Sequence, residues 1–305
     1  MAELIECVPN ISEGRRDDVI QAIVDALSAV PGAVLLDHSS DRDHNRTVLT
    51  LAGTAAGLRH AVRTLFGLAL EHIDLRQHHG SHPRMGAVDV VPFIPIRNAT
   101  MADCVALAQE VGQMVAADFG VPVFLYADAA TSPGRKILSN IRKGEFEKMA
   151  AKLAKPEWTP DFGPIAPHPS AGVSAVGARF FLIAYNLQLD TPDVKIATAI
   201  ARSLRESSGS MTNLQAMGVY LEDRNQAQVS MNLLNYEKTP VYRVQEMVKI
   251  EAARYGARVV GAEIVGLVPQ AALLDAAAHY LQIENWSDRL VLENAVASKK
   301  SEERE

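Results

Sequence analysis

The chain has 305 residues, 48% hydrophobic and 22% charged, with 19 Gly, 15 Pro and a formal net charge of −6. That composition excludes a collagen-like, low-complexity or disordered chain, and net acidity without a basic block speaks against nucleic-acid wrapping. The two cysteines, Cys7 and Cys104, cannot build a disulfide framework and fit a reducing compartment.

The opening MAELIECVPN carries Glu3 and Glu6 where a secretory signal needs positive charge. The longest strongly apolar stretch, FFLIAYNL, falls far short of the ~20 residues that span a bilayer. A soluble cytoplasmic protein with no nucleic-acid or membrane partner is expected, and roughly 100–200 residues per domain suggests two domains.

In chain order, LIECVP (Leu4–Pro9) reads as a buried strand and Val19–Val30 as a helix with Ile20, Ile23, Val24 and Leu27 on one face. Ala33–Asp37 and Thr47–Ala52 read as strands separated by the polar connection HSSDRDHNR. Gly57–His72 is helical, Ala87–Ile96 strand-like, and a third helix opens at Thr100 with Asp103 completing a capping box. A strand over Val121–Ala127 follows.

In the second half, Arg179–Leu189 reads as one continuous apolar strand covered on both faces. Thr191-Pro192 supplies an N-cap and a first-turn proline for a helix running to Leu204. The strands AMGVYLE and QVSMNLL, a helix opened by Thr239-Pro240, the strand ARVVGAEIVGLV and a helix from Pro269 complete the series.

Both halves thus read β-α-β-β-α-β, and the first adds an α-β extension. The expected fold is α/β (α+β): two ferredoxin-like subdomains packed side by side with a cleft between them. Their bounds are 1–178 and 179–285, with a charged, frayed tail over 286–305. The breaker-rich stretch Lys155–Ala178 is either a linker or a long functional loop.

Chemistry concentrates in RQHHGSHPRMGAVDV. Four of the nine histidines (His72, His78, His79, His82) fall within eleven residues, three of them in a loop that runs into a strand. An imidazole there can accept and return a proton near neutrality. His78, His79 and His82, with Asp89, could instead hold a metal, although no second cluster completes a tetrahedral site. Asp41 and Asp43 read as a charged turn. Arg46 and Arg84 are candidates for gripping a substrate carboxylate, because a guanidinium matches its geometry at two points. The backbone of DFGPIAPHPSAG could read the edge of a heterocycle. No phosphate loop, nucleophile elbow or dinucleotide fingerprint is present.

Several blocks together resemble the glutamate formimidoyltransferases (formiminotransferases). They are CVPNISEGR (Cys7–Arg15), HNRTV (His44–Val48), GSHPRMGAVDVVPFIP (Gly80–Pro95), VPVFLYADAA (Val121–Ala130), IRKGEFE (Ile141–Glu147) and WTPDFGP (Trp158–Pro164). AVGARFFLIAYN, AQVSMNLLNY and EIVGLVP continue the likeness in the second half. The resemblance runs from Glu6 to about Leu281 and is of the stand-alone form, without a cyclodeaminase domain.

It implies transfer of a formimidoyl group from N-formimidoyl-L-glutamate to tetrahydrofolate. The products are L-glutamate and 5-formimidoyltetrahydrofolate, a step of histidine degradation that feeds one-carbon metabolism. It also implies two α/β subdomains, a homodimer, tetrahydrofolate as co-substrate and no metal. The family's catalytic histidine, in H-P-R-M-G, falls on His82. Its folate segment falls on Gly163, Pro164, Ile165, Ala166, Pro167, His168, Pro169, Ser170, Ala171 and Gly172. Ser81 departs from the pattern, since Glu is frequent there. Formyl transfer from N-formylglutamate, a metal-dependent amidohydrolase or deiminase using His78, His79 and His82, and a non-enzymatic ligand sensor are the competing readings.

Overall fold

The computed structural model describes residues 3–80 and 82–296. Ser81 and the charged end of the tail, 297–305, lie outside the described residues. The chain divides into two compact units, Met1–Phe180 and Phe181–Glu305.

The first unit runs β1 (Leu4–Cys7), β2 (Asn10–Ile11), α1 (Asp17–Ser28), β3 (Ala33–Asp41), β4 (Arg46–Gly53), α2 (Ala55–His72), β5 (Val88–Arg97), α3 (Met101–Phe119) and β6 (Val123–Ala127). Two short helices, α4 (Leu138–Arg142) and α5 (Glu145–Leu153), precede β7 (Ser174–Ala178). The second unit runs β8 (Ile183–Leu189), α6 (Val194–Leu204), β9 (Leu214–Leu221), β10 (Gln226–Leu233), α7 (Val241–Ala253), β11 (Val259–Val265) and α8 (Gln270–Leu281).

The second unit's sheet is antiparallel in the order β11-β8-β10-β9. In the first, β5, the β1/β2 pair, β4 and β3 stand in the same sequence of neighbours. The repeated β-α-β-β-α-β reading is therefore matched by a repeated strand order. β1 and β2 are one irregular strand broken at Val8-Pro9, because proline has no N–H for the ladder. Its carbonyl still accepts from Leu49 N at 2.9 Å.

The first sheet then extends past β5 through β7 to β6, both parallel to β5. This corrects the linker-or-loop reading of 155–178, whose last five residues form an interior strand. SAVGA is buried at every position. It escapes recognition because it lacks the bulky residues that mark strands. Small residues suit a strand covered on both sides, and at Gly177 a Cβ would stand 2.3 Å from the Tyr126 carbonyl oxygen.

On one face of this sheet Ile5, Leu51, Val91 and Phe93 meet Ile23, Leu65 and Val111 of α1, α2 and α3. On the other, Val90, Phe124 and Tyr126 meet Ile141 of α4 and Met149 and Leu153 of α5. Both cysteines are buried as free thiols.

Other expectations shift in detail. The strands of the β3–β4 hairpin extend to Asp41 and Arg46, so HSSD is strand and only 42–45 turn. The continuous strand expected from Arg179 begins at Ile183, and Arg179–Leu182 are half-buried irregular chain. The N-cap of α6 is Asp193, accepting from Lys195 N at 2.9 Å, rather than Thr191. An aspartate can cap only from the position just before the first turn, and the structure places that turn two residues later. The Thr100–Asp103 capping box of α3 forms as expected. Among the described residues no helix is long and apolar enough to cross a membrane.

Candidate active site

Ile11 of β2 pairs with Thr47 at the start of β4 and with Val88 at the start of β5. The β3–β4 turn and the loop from α2 to β5 therefore meet at one end of the sheet. Asn45, in the left-handed region at φ 49°, joins them. Its Oδ1 accepts from Gly14 N at 2.9 Å, its Nδ2 donates to the His79 carbonyl at 3.1 Å, and its own carbonyl accepts from His78 Nε2 at 2.8 Å. Gly80 completes the fit: a Cβ there would lie 2.3 Å from the His44 carbonyl oxygen.

These bonds set the state of His78. Its Nε2 donates to Asn45, so Nδ1 is the acceptor, and Arg84 Nε donates to it at 3.2 Å. Burial pushes its pKa down, with the Arg84 charge helping and the Asn45 carbonyl opposing. His78 is thus a buried, neutral brace.

His82 is half-buried in a small pocket it shares with His44, Arg46, His78, Arg84 and Asp89. Arg46 Nη1 lies 3.2 Å from His82 Nδ1 and closer still to Nε2. Burial, then the charges of Arg46 and Arg142, push the His82 pKa down to about 4, against the pull of Asp89. At neutral pH the ring is uncharged and has a lone pair to offer. Burial also lowers Arg46, to about 10, which leaves it a cation.

Asp89, 3% exposed, accepts from Met85 N at 2.7 Å and Gly86 N at 3.3 Å through one oxygen, and from Arg142 Nη2 at 2.6 Å through the other. It pins the end of the H-P-R-M-G run to α4. The Nε atoms of Arg46 and Arg142 are buried and find no partner among the described residues.

The two arginines proposed from sequence differ. Arg84 spends its Nε on His78, its Nη1 on Glu145 at 3.2 Å and Glu147 at 2.9 Å, and its Nη2 on Glu147 at 2.6 Å. Arg46 has no carboxylate partner among the described residues and faces His82. Nor do His78, His79 and His82 form one set of ligands: His78 borders the pocket with both ring nitrogens engaged, His79 is exposed, and His82 lies in the pocket. No group of three His, Cys, Asp or Glu residues able to hold a metal occurs among the described residues.

In the segment 163–172, Gly163 turns the chain in the left-handed region at φ 90° against Val121 and Pro122, and the rest has two parts. His168–Gly172 is a tight hairpin whose backbones exchange bonds at 2.8 and 2.9 Å, with His168 Nδ1 accepting from Ala171 N at 3.1 Å. It is docked on the His82 loop through Leu75 N to Ser170 O at 2.8 Å and Ala87 N to Ala171 O at 3.0 Å. Pro164, Ile165, Ala166 and Pro167 are the other part, lining an open apolar groove with Ala150 of α5 and Ala154 just past its end.

Sequence reading missed Arg142, Glu145, Glu147 and the place of His44 in the pocket. IRKGEFE stands out as a block, yet nothing local says that its charges close on residues more than fifty positions earlier.

A neutral imidazole facing a cation at one end of an α/β sheet is an arrangement able to accept and return a proton, as an enzyme's site does. A family model described as the formiminotransferase domain, N-terminal subdomain, matches residues 4–179, and one described as the formiminotransferase domain matches 184–298. The chain belongs to the formiminotransferase family. A glutamate formimidoyltransferase of Streptococcus pyogenes serotype M1 is 48% identical over 96% of this chain and 99% of that protein. One from Thermoplasma acidophilum is 44% identical over 95% and 96%. The formimidoyltransferase-cyclodeaminase of Sus scrofa is 47% identical over 93% of this chain, which spans 54% of that longer protein.

Proposed function

We propose that this protein transfers the formimidoyl group of N-formimidoyl-L-glutamate to tetrahydrofolate, releasing L-glutamate, as a step of histidine degradation in the cytoplasm, and that it works as a homodimer. The observation that carries the mechanism is the neutral His82 ring facing Arg46 in the shared pocket.

The attacking secondary amine of the reduced pterin must lose a proton as it adds to the amidine carbon, and the departing glutamate amine must gain one. His82 takes the first proton, a contribution of about 10²–10⁴-fold. Arg46 holds a substrate carboxylate, and drawing its guanidinium onto that anion frees the His82 lone pair. The groove beside Pro164–Pro167 receives the flat, partly apolar folate, and the hairpin His168–Gly172 sets its distance from His82; holding two substrates in register supplies much of the remaining rate. Arg84 is assigned to bracing His78 and α5, since its donors already have protein partners.

The test is a spectrophotometric assay with tetrahydrofolate and N-formimidoyl-L-glutamate, run beside N-formylglutamate, following acid conversion of the product to the methenyl form. Turnover with the formimidoyl donor is expected. Turnover with the formyl donor alone reassigns the substrate, and turnover with neither refutes the reading.

A further inference from the structure

The β3–β4 turn brings a second imidazole to the pocket. Asp41, the last residue of β3, accepts from Asp43 N at 2.9 Å and His44 N at 2.8 Å through Oδ1, and its Oδ2 stands 2.7 Å from His44 Nδ1. One carboxylate therefore fixes both the backbone and the ring of His44. That ring meets His82 edge to face, centroids 5.7 Å apart and planes at 73°. The turn is held in place by the Asn45 bonds to Gly14 and His79 and by the close approach of Gly80 to the His44 carbonyl.

The two rings have opposite surroundings. His82 faces Arg46 and feels Arg142, cations that oppose a positive ring. His44 is backed by a carboxylate that balances one. Against the upward push of partial burial, the His44 backbone N–H and ring hold the Asp41 carboxyl below the usual carboxylate range. With Nδ1–H directed to Asp41, the nitrogen left for exchange is His44 Nε2. The other charged or titratable groups lining the pocket are Arg46, His78, Arg84 and Asp89.

We propose that the Asp41–His44 pair is a second proton carrier of this site, giving the departing amine its proton while His82 serves the attacking one. The proposal rests on the formimidoyl-transfer reading. As the new C–N bond forms, the attacking nitrogen's proton passes to His82 and the C=N electron pair of the protonated amidine moves onto its imino nitrogen, which becomes a neutral amine. Collapse returns that pair to C=N and breaks the bond from carbon to the glutamate nitrogen, which takes the proton from His44 Nε2. His82 then gives its proton to solvent water and His44, whose side chain is 48% exposed, takes one up, which restores the starting state.

The experiment compares His44→Gln, His44→Ala and Asp41→Asn with the parent in the transfer assay, as pH profiles of kcat, with thermal melts alongside. Expected are a 10- to 100-fold fall in kcat for His44→Gln, KM values within about two-fold, a pH profile that differs from the parent's, and partial rescue of His44→Ala by added imidazole. Asp41→Asn should fall between parent and His44→Gln. Parent-like kcat and pH profile in His44→Gln would overturn the proposal, as would a loss seen only in melting temperature or KM. If the parent itself transfers nothing, the reading beneath the proposal fails with it; if the parent is active, the proposal alone is on trial.

Discussion

Arg84 and Glu147 form a two-point ion pair, Nη2 to Oε1 at 2.6 Å and Nη1 to Oε2 at 2.9 Å. The first belongs to the H-P-R-M-G run and the second to α5, so the pair fastens the His82 loop to the helix that walls the apolar groove. The Arg84 side chain is 11% exposed and that of Glu147 58%, so loss of the arginine leaves a carboxylate that water can still solvate. Arg84→Met should therefore cost about 1.5–3 kcal/mol and lower kcat by loosening His78. Urea unfolding and steady-state kinetics check this. Unchanged stability with a raised KM for an anionic substrate would return Arg84 to the substrate.

Asp89 is the more severe position. Both Asp89 and Arg142 are largely buried, with side chains 4% and 14% exposed. Breaking such a pair leaves an uncompensated cation and costs about 3–5 kcal/mol. Asp89→Asn should lose that much in denaturant titration while keeping its acceptance of the Met85 N–H. A loss below about 1 kcal/mol would show that Arg142 finds another partner.

His82→Ala should lower kcat by about 10²–10⁴-fold and leave folate affinity intact, checked by single-turnover kinetics and fluorescence titration. The acid limb of kcat/KM reports the free enzyme, so it should lie well below pH 6.5, toward the His82 value of about 4. Arg46→Met removes a facing cation and should move that limb upward. A limb already at 6.5 in the parent would remove His82 as its source.

Stability should fall on acidification. His78 and His82 have folded pKa values below the unfolded 6.5, so between pH 6.5 and about 4 the unfolded chain binds more protons. Above 6.5 both states are neutral and neither ring contributes. Glu13 acts in the same direction. Against burial, N–H donors from Arg16 and Arg15 and the Arg16 side chain depress it, so its stabilisation is present above 4.5 and lost below. Urea midpoints at pH 7.5, 6 and 5 should decline only below about 6.5, and His82→Gln should flatten part of that slope. A midpoint rising toward pH 5 would contradict both assignments.

Gly80→Ala should separate the His82 loop from the β3–β4 turn, because the added carbon would stand against the backbone carbonyl of His44, which has no flexible end to withdraw. Reduced kcat with folate binding retained is expected. Full activity would mean that the turn and the loop need not touch.

Chain-local physics explains what could be read in advance. The apolar faces of α1, α2 and α7, the Thr100–Asp103 cap and the alternating strands all depend on residues within one or two turns of each other. The loop that holds His78, His79 and His82 stands out because a Gly- and Pro-bearing loop before a strand is positioned by a rigid sheet; only the resemblance of H-P-R-M-G to the family singles out His82 among the three. The Asp193 cap and the extended hairpin lay within the same reach, but in each a neighbouring residue competed equally well.

The amino-acid order by itself therefore determined the two β-α-β-β-α-β series and the loop that carries His82, since periodicity and capping act over a few residues. Only the tertiary structure decided that SAVGA becomes an interior strand, that Arg84 is held by Glu145 and Glu147 while Arg46 faces His82, and that Arg142 reaches Asp89. Those outcomes turn on which charges and small residues packing brings together from 36 (Arg46 and His82) to 85 (Val90 and Ala175) positions apart, and burial sets the cost of leaving any of them alone.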